Sequence, residues 1–170
     1  MDPGPYEILI GHSAEAVALA APLTVTGPAL PARTLLCGRL EAVDFDECEG
    51  GTLIDATREK GEAVTPATGD IRCALRYGSV DLGSPADGPR VITAEASCAT
   101  EEDATVEIYA CGAPGAGTLP AALRVTTGTD GRYDWRTVST RMPEEVTVVH
   151  DLHLVLRGGV HLAAIAGGTW

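Results

Sequence analysis

Short runs of alternating apolar and polar residues, set off by turn-forming positions, recur along the chain. The clearest spans residues 146–157, where Val146, Val148, His150, Leu152, Leu154 and Leu156 fall on one face at a spacing of two, the period of a half-buried strand. Residues 91–97, 105–110, 122–126 and 135–140 are shorter runs of the same kind, with turns expected at 98–103, 112–117 and 128–131. Nearer the start, residues 6–11 and 17–26 flank the polar turn His12-Ser13-Ala14-Glu15 and predict a hairpin. Pro28 and Pro31 in the stretch that follows withhold ladder donors and favour an extended path, which reads as a linker. The pattern predicts an all-β chain: a hairpin over 1–27, a linker over 28–39 and a β-sandwich over 40–167. A two-stranded hairpin is marginal alone in water, so it needs the sandwich or another partner to dock on.

Composition narrows this reading without changing it. At 170 residues the chain holds one core and a smaller appended piece, and 45% hydrophobic with 21% charged residues places it among folded globular proteins. The 20 glycines and 11 prolines leave no room for long helices. No apolar stretch approaches the roughly 20 residues that span a bilayer. Met1-Asp2-Pro3-Gly4-Pro5 lacks the basic flank of a signal peptide, so the expected compartment is left open, with the cytoplasm favoured. A formal charge of -12, with Lys60 the only lysine, repels phosphate and anionic lipid, so neither nucleic acid nor membrane is expected as a partner. Five cysteines (Cys37, Cys48, Cys73, Cys98 and Cys111) with no Cys-x-x-Cys pair suggest neither a full disulfide set nor a zinc site. They are expected to be mostly reduced and buried. Pairing stays open, because spacing cannot reveal which sulfurs meet.

No catalytic arrangement is expected. His150 and His153 would share a helix face but point to opposite sides of a strand. Ser13 sits in a turn with no Gly-x-Ser-x-Gly elbow around it. Glu101, Glu102 and Asp103, and likewise Glu144 and Glu145, are adjacent turn carboxylates that face water rather than flank a cleft. The glycines of 112–117 lack the lysine and helix of a phosphate loop.

Five stretches carry a resemblance. Tyr77-Gly78-Ser79-Val80-Asp81-Leu82-Gly83, Val91-Ile92-Thr93-Ala94-Glu95-Ala96-Ser97 and Val106-Glu107-Ile108-Tyr109 follow in the order of strands in family 6 carbohydrate-binding modules. Asp130-Gly131-Arg132-Tyr133-Asp134-Trp135 is similar to that family's Gly-Gly-Trp-Gln-x-Trp stretch, and residues 149–158 to its closing Gly-Val-His-Asp-Leu-Tyr-Leu-Val-Phe-x-Gly strand. The likeness covers about residues 40–165 and implies a jelly-roll β-sandwich of the galactose-binding-like type. Separately, Tyr6-Glu7-Ile8-Leu9-Ile10-Gly11-His12-Ser13 with Val17-Ala18-Leu19 resembles the last two strands of the fibronectin type III-like domain that ends family 3 glycoside hydrolases. Ala14 and Ala16 stand where that ending has Ser and Asp.

The resemblance implies a non-catalytic carbohydrate-binding module that targets a β-glucosidase-type hydrolase to β-glucan or other plant or microbial glycans. Such modules stack aromatic rings on sugars and hydrogen-bond the hydroxyls. It makes Tyr133, Arg132, His161 and Tyr77 the candidate ligand-binding residues, and Trp135 a core residue. Arg132 replaces the family's stacking tryptophan, His161 stands near its sugar-binding asparagine, and Ala163-Ala164-Ile165 replaces its Asp-Trp-Phe. By strand alternation, Tyr133 and Arg132 should point to opposite faces unless the turn re-aims Tyr133. The family's structural calcium would draw on Glu41 and Asp44, but Val43 and Ala163 replace two expected ligands, so no bound metal or other cofactor is expected. These departures support an alternative: a sandwich whose site has decayed, serving as a structural or subunit-interaction domain of the hydrolase.

Overall fold

The computed structural model describes residues 3–36, 38–57, 61–67, 72–84, 86, 90–99, 104–110, 118–126, 131–143, 146 and 149–169. Cys37, Lys60, Glu101, Glu102, Asp103, Cys111, Asp130, Glu144 and Glu145, with most of the three predicted turns, lie outside them. Two compact units are present, Met1–Pro31 and Ala32–Trp170.

The first unit is a hairpin of β1 (Gly4–Gly11) and β2 (Val17–Val25), closed by the His12 N–H to Ala16 carbonyl hydrogen bond. Its register sets Tyr6 opposite Leu23, Ile8 opposite Ala21 and Ile10 opposite Leu19. These pairs share one apolar face, and Tyr6, Ile8, Ile10, Leu19 and Leu23 are all exposed.

The second unit is a sandwich of two six-stranded sheets. One runs β11 (Thr118–Val125), β10 (Ala104–Ala110), β13 (Val149–Arg157), β8 (Arg72–Asp81), β3 (Arg33–Thr34), with β5 (Glu47–Glu49) also on β8. The other runs β12 (Arg136–Arg141), β9 (Arg90–Cys98), β14 (Val160–Thr169), β7 (Gly61–Pro66), β6 (Gly51–Thr57), with β4 (Arg39–Glu41) on β14. Period-two patterning builds the inner faces: in β10, Ala104, Val106, Ile108 and Ala110 are buried while Thr105, Glu107 and Tyr109 are only partly so. Leu75, Ile108, Leu154 and Leu156 of one sheet share a core with Ile92, Leu162 and Ile165 of the other. The fold is the all-β sandwich that the sequence predicts. The expected linker ends early, because Arg33 and Thr34 pair with β8, and Leu35 is buried in the core.

Alternation breaks once in β8, where Cys73, Leu75 and Tyr77 are buried and the next buried residue is Val80. The register against β13 slips there, and Ser79 adopts a positive φ of 53°. Two carboxylates hold the bulge. Asp46 Oδ2 accepts from the Gly78 N–H at 2.6 Å and Asp151 Oδ1 from the Ser79 N–H at 3.1 Å, while Arg76 donates to Asp151 and Glu47. The Arg76 side chain and then the Ser79 N–H hold the Asp151 carboxyl below its ordinary pKa. Burial pushes Asp46 upward, but the Gly78 N–H and Arg33 outweigh it, and the net shift is also downward. A carboxylate depressed in the folded state contributes stability above its unfolded pKa that is lost as pH falls through the folded value. Thermal melts should therefore show a midpoint that declines below about pH 4, and Asp151→Asn should lower the neutral-pH midpoint while flattening that acid-side slope.

The Arg90 guanidinium is buried and lies against main-chain carbonyls: Nη1 donates to Gly83 at 3.0 Å and Leu82 at 3.5 Å, and Nη2 to Val146 at 2.8 Å and Pro143 at 3.1 Å.

Candidate functional site

One end of the second sheet carries a cavity of about 420 Å³. Its walls come from three places: Leu53, Ile54 and Asp55 on β6 with Glu62 on β7, Arg132 and Tyr133 in the turn before β12, and His161 on β14.

The turn is a single 3-10 turn over Gly131–Tyr133, and its first residue has φ of 59°, which a glycine adopts without strain. The Asp134 N–H bonds the Gly131 carbonyl and the Trp135 N–H the Tyr133 carbonyl. Ser97 on β9 anchors it by donating from Oγ to the Arg132 carbonyl at 2.7 Å, and Ser97 Oγ also lies 3.5 Å from His161 Nδ1. Because this segment is a turn, the expected alternation does not apply. Arg132 and Tyr133 lie together, with the guanidinium carbon 4.6 Å from the Tyr133 ring centre and the Arg132 side chain hydrogen-bonded to the phenol oxygen.

Trp135 packs on Ala56, Ala63 and Ala163, beside Ile54, and its ring centre stands 6.5 Å from that of His161. Burial in this surround holds the His161 pKa below its ordinary value, so the imidazole is neutral at pH 7 and can both donate and accept. Tyr77 is a correction to the expected site. It is buried in the core and donates its hydroxyl to the Ala42 carbonyl at 2.7 Å, and burial raises its pKa far above the normal phenol range.

Asp55 and Glu62 were missed by the sequence reading. They sit directly opposite each other on β6 and β7, both exposed, and among the described residues neither makes an ion pair. Like charges facing each other across a ladder are destabilising. Asp55→Asn and Glu62→Gln should each raise unfolding stability by a few tenths of a kcal/mol in denaturant titrations. The signal was present: two short apolar-polar runs either side of Arg58-Glu59-Lys60 are a hairpin pattern.

At the positions of the resemblance's calcium ligands, the residues do not fit the ion. Arg39 donates to both Glu41 oxygens, at 2.6 and 3.2 Å, and to Glu95 at 2.7 Å. Val43 packs on the main core, Ala163 belongs to the Trp135 cluster, and the Asp44 carbonyl accepts from Arg33. The guanidinium thus stands between the Glu41 and Glu95 carboxylates, and Val43 and Ala163 bring no side-chain oxygen to a shell that needs six or more.

No curated protein matches the chain. Among solved structures, a family 6 module from Clostridium stercorarium in complex with cellobiose superposes with a TM-score of 0.65 at 22% identity, covering 82% of this chain and 98% of that one. A β-1,3-glucan-binding family 6 module from Bacillus halodurans gives 0.67 at 18%, covering 81% and 99%. A family 43 arabinoxylan arabinofuranohydrolase from Bacillus subtilis, in complex with cellotetraose, gives 0.69 at 18%, covering 95% of this chain and 33% of that one. At these identities the likeness bears on the fold, which is their jelly-roll sandwich. The sequence match identifies the family: residues 41–166 fit the one described as carbohydrate binding module (family 6). Sandwich, closing strand and matched span agree, and the chain belongs to the family 6 carbohydrate-binding modules.

Proposed function

We propose that the cavity at Tyr133 binds a β-linked glycan and that the module keeps a glycoside hydrolase near such a substrate. The observation that carries this reading is the set of hydrogen-bonding groups gathered around one exposed ring. Asp55 and Glu62 offer acceptors, the Arg132 guanidinium offers donors, and His161 offers either, beside a Tyr133 that is 55% exposed. A pyranose is the matching ligand: flat apolar faces for the ring and adjacent hydroxyls for a carboxylate. A neutral sugar also suits an acidic protein better than an anionic one. Two solved relatives, one in complex with cellobiose and one a β-1,3-glucan-binding module, support the same ligand class.

Isothermal titration with cello-oligosaccharides, xylan and soluble β-glucans tests the proposal, and absence of heat with all of them would sink it. One observation favours the alternative, a sandwich that serves the hydrolase structurally: Arg132 lies over one face of the Tyr133 ring. Arg132→Ala separates the two. Affinity falls if Arg132 serves the sugar, whereas a variant that binds where the parent protein does not would show the platform to be masked.

The hairpin extends the proposal. Its exposed apolar face of Tyr6, Ile8, Ile10, Leu19 and Leu23, together with its likeness to the closing strands of a fibronectin type III-like domain, supports a place at the end of such a domain in a β-glucosidase-type enzyme. The remaining strands of that domain would cover this face. Calcium has no part in the reading, because Arg39 supplies the cation between Glu41 and Glu95. Thermal midpoints in calcium and in excess chelator should agree within about 1 °C, whereas a lost structural ion would lower the midpoint several degrees.

A further inference from the structure

The β5 and β8 strands bring two cysteines together at a point their sequence spacing does not disclose. Cys48 pairs in register with Leu75, which places Cys73 diagonally across the ladder on the same side. A Cβ built on Gly51 would sit 2.6 Å from the Cys48 sulfur and 2.6 Å from the Cys73 sulfur. Both sulfurs therefore flank one point, and their separation is at most about twice that distance. Gly50, with φ of 68°, and Gly51 form the chain's pivot from β5 into β6, so the segment carrying Cys48 has the backbone freedom to close the remaining gap.

We propose that Cys48 and Cys73 form a disulfide site, oxidised by low-molecular-weight disulfides such as oxidised glutathione. The two cysteines have complementary roles, since Cys48 is exposed and Cys73 fully buried. The Cys48 thiolate attacks the small disulfide, its S–S bond breaks, and one small thiol leaves from a mixed disulfide on Cys48. Cys73 then attacks the Cys48 sulfur and expels the second small thiol. One small-molecule disulfide is reduced to two thiols, which take up the two protons given up by the cysteines. The bond joins β5 to β8 within the first sheet, and the loop it closes contains β6 and β7, and with them Asp55 and Glu62 of the cavity wall. Closure of a loop of this length typically raises a midpoint by about 5 to 10 °C.

The test is incubation of the intact chain with oxidised glutathione, followed by peptide mapping without reduction. A cross-linked peptide pair joining Cys48 to Cys73, lost in Cys48→Ser and retained in Cys98→Ser, is the expected result, together with a midpoint that falls again on adding a reductant. A stable glutathione adduct on Cys48, a link to another cysteine, or no link at all would overturn the proposal. None of these outcomes depends on glycan binding, so this inference and the proposed function fail or stand separately.

Discussion

Tyr133→Ala should lower affinity for a soluble β-glucan by ten- to a hundredfold, roughly 1.4 to 2.7 kcal/mol, the scale of losing an aromatic anchor at a binding centre. The same variant should leave the thermal midpoint within about 1 °C of the parent, because surface substitutions away from packing rarely exceed half a kcal/mol. Tyr133 is exposed in a turn whose shape comes from main-chain bonds and from Ser97, none of which need its ring. Tyr133→Phe should keep most of the affinity, since the stacking face survives and only the phenol bond to Arg132 is lost. Equal affinity for the parent and the alanine variant would move the ligand away from this cavity altogether. The pH profile adds a second check. With His161 neutral and buried, binding should be level from about pH 7 upward and weaken only as acid protonates the imidazole below its ordinary pKa of about 6.5.

The largest effect on stability should come from Arg90. Arg90→Leu removes a buried guanidinium that is 2% exposed and strands four carbonyls it serves, those of Leu82, Gly83, Pro143 and Val146. Breaking a buried charged network of this kind typically costs about 3 to 5 kcal/mol. For a chain of this size that is a fall in midpoint of roughly 10 °C. Arg90→Lys should recover only part of the loss, because an ammonium has three donors and no planar fork to span acceptors on two sides. A drop below about 1 kcal/mol in denaturant titrations would show that water satisfies those carbonyls instead. The site proposal is untouched by this variant, since Arg90 lies outside the set of residues lining the cavity.

What could be read from the sequence divides along physical lines. Strand β10 was legible because it buries one face against the opposing sheet, and burial writes itself into the sequence as period-two alternation; the middle of β9 and the stretch of β13 from Leu152 to Leu154 keep the same period. The β6 and β7 strands are written only faintly, as two short runs either side of Arg58-Glu59-Lys60, because Thr52, Leu53 and Asp55 on β6 and Glu62 on β7 are exposed and such a hairpin need not keep strict alternation. Missing them cost the site half its wall, including both carboxylates. Tyr77 went wrong for a related reason: a motif tyrosine can be core or ligand, and only burial with its bond to Ala42 decides. Arg132 and Tyr133 both line the cavity, and a single glycine in the left-handed region sets them in a 3-10 turn, a re-aiming that strand alternation alone does not give. The two side chains stack there.

Among the described residues the β1–β2 sheet has two members, so each of its strands is an edge of that sheet. Exposed β-branched and aliphatic side chains along Ile8, Leu9, Ile10, Val17 and Leu19 make those edges adhesive. Concentrated solutions of this chain should accordingly form intermolecular cross-β contacts through residues 4–25, and a lysine placed at Leu9 or Leu19 should act as a gatekeeper that keeps the preparation clear.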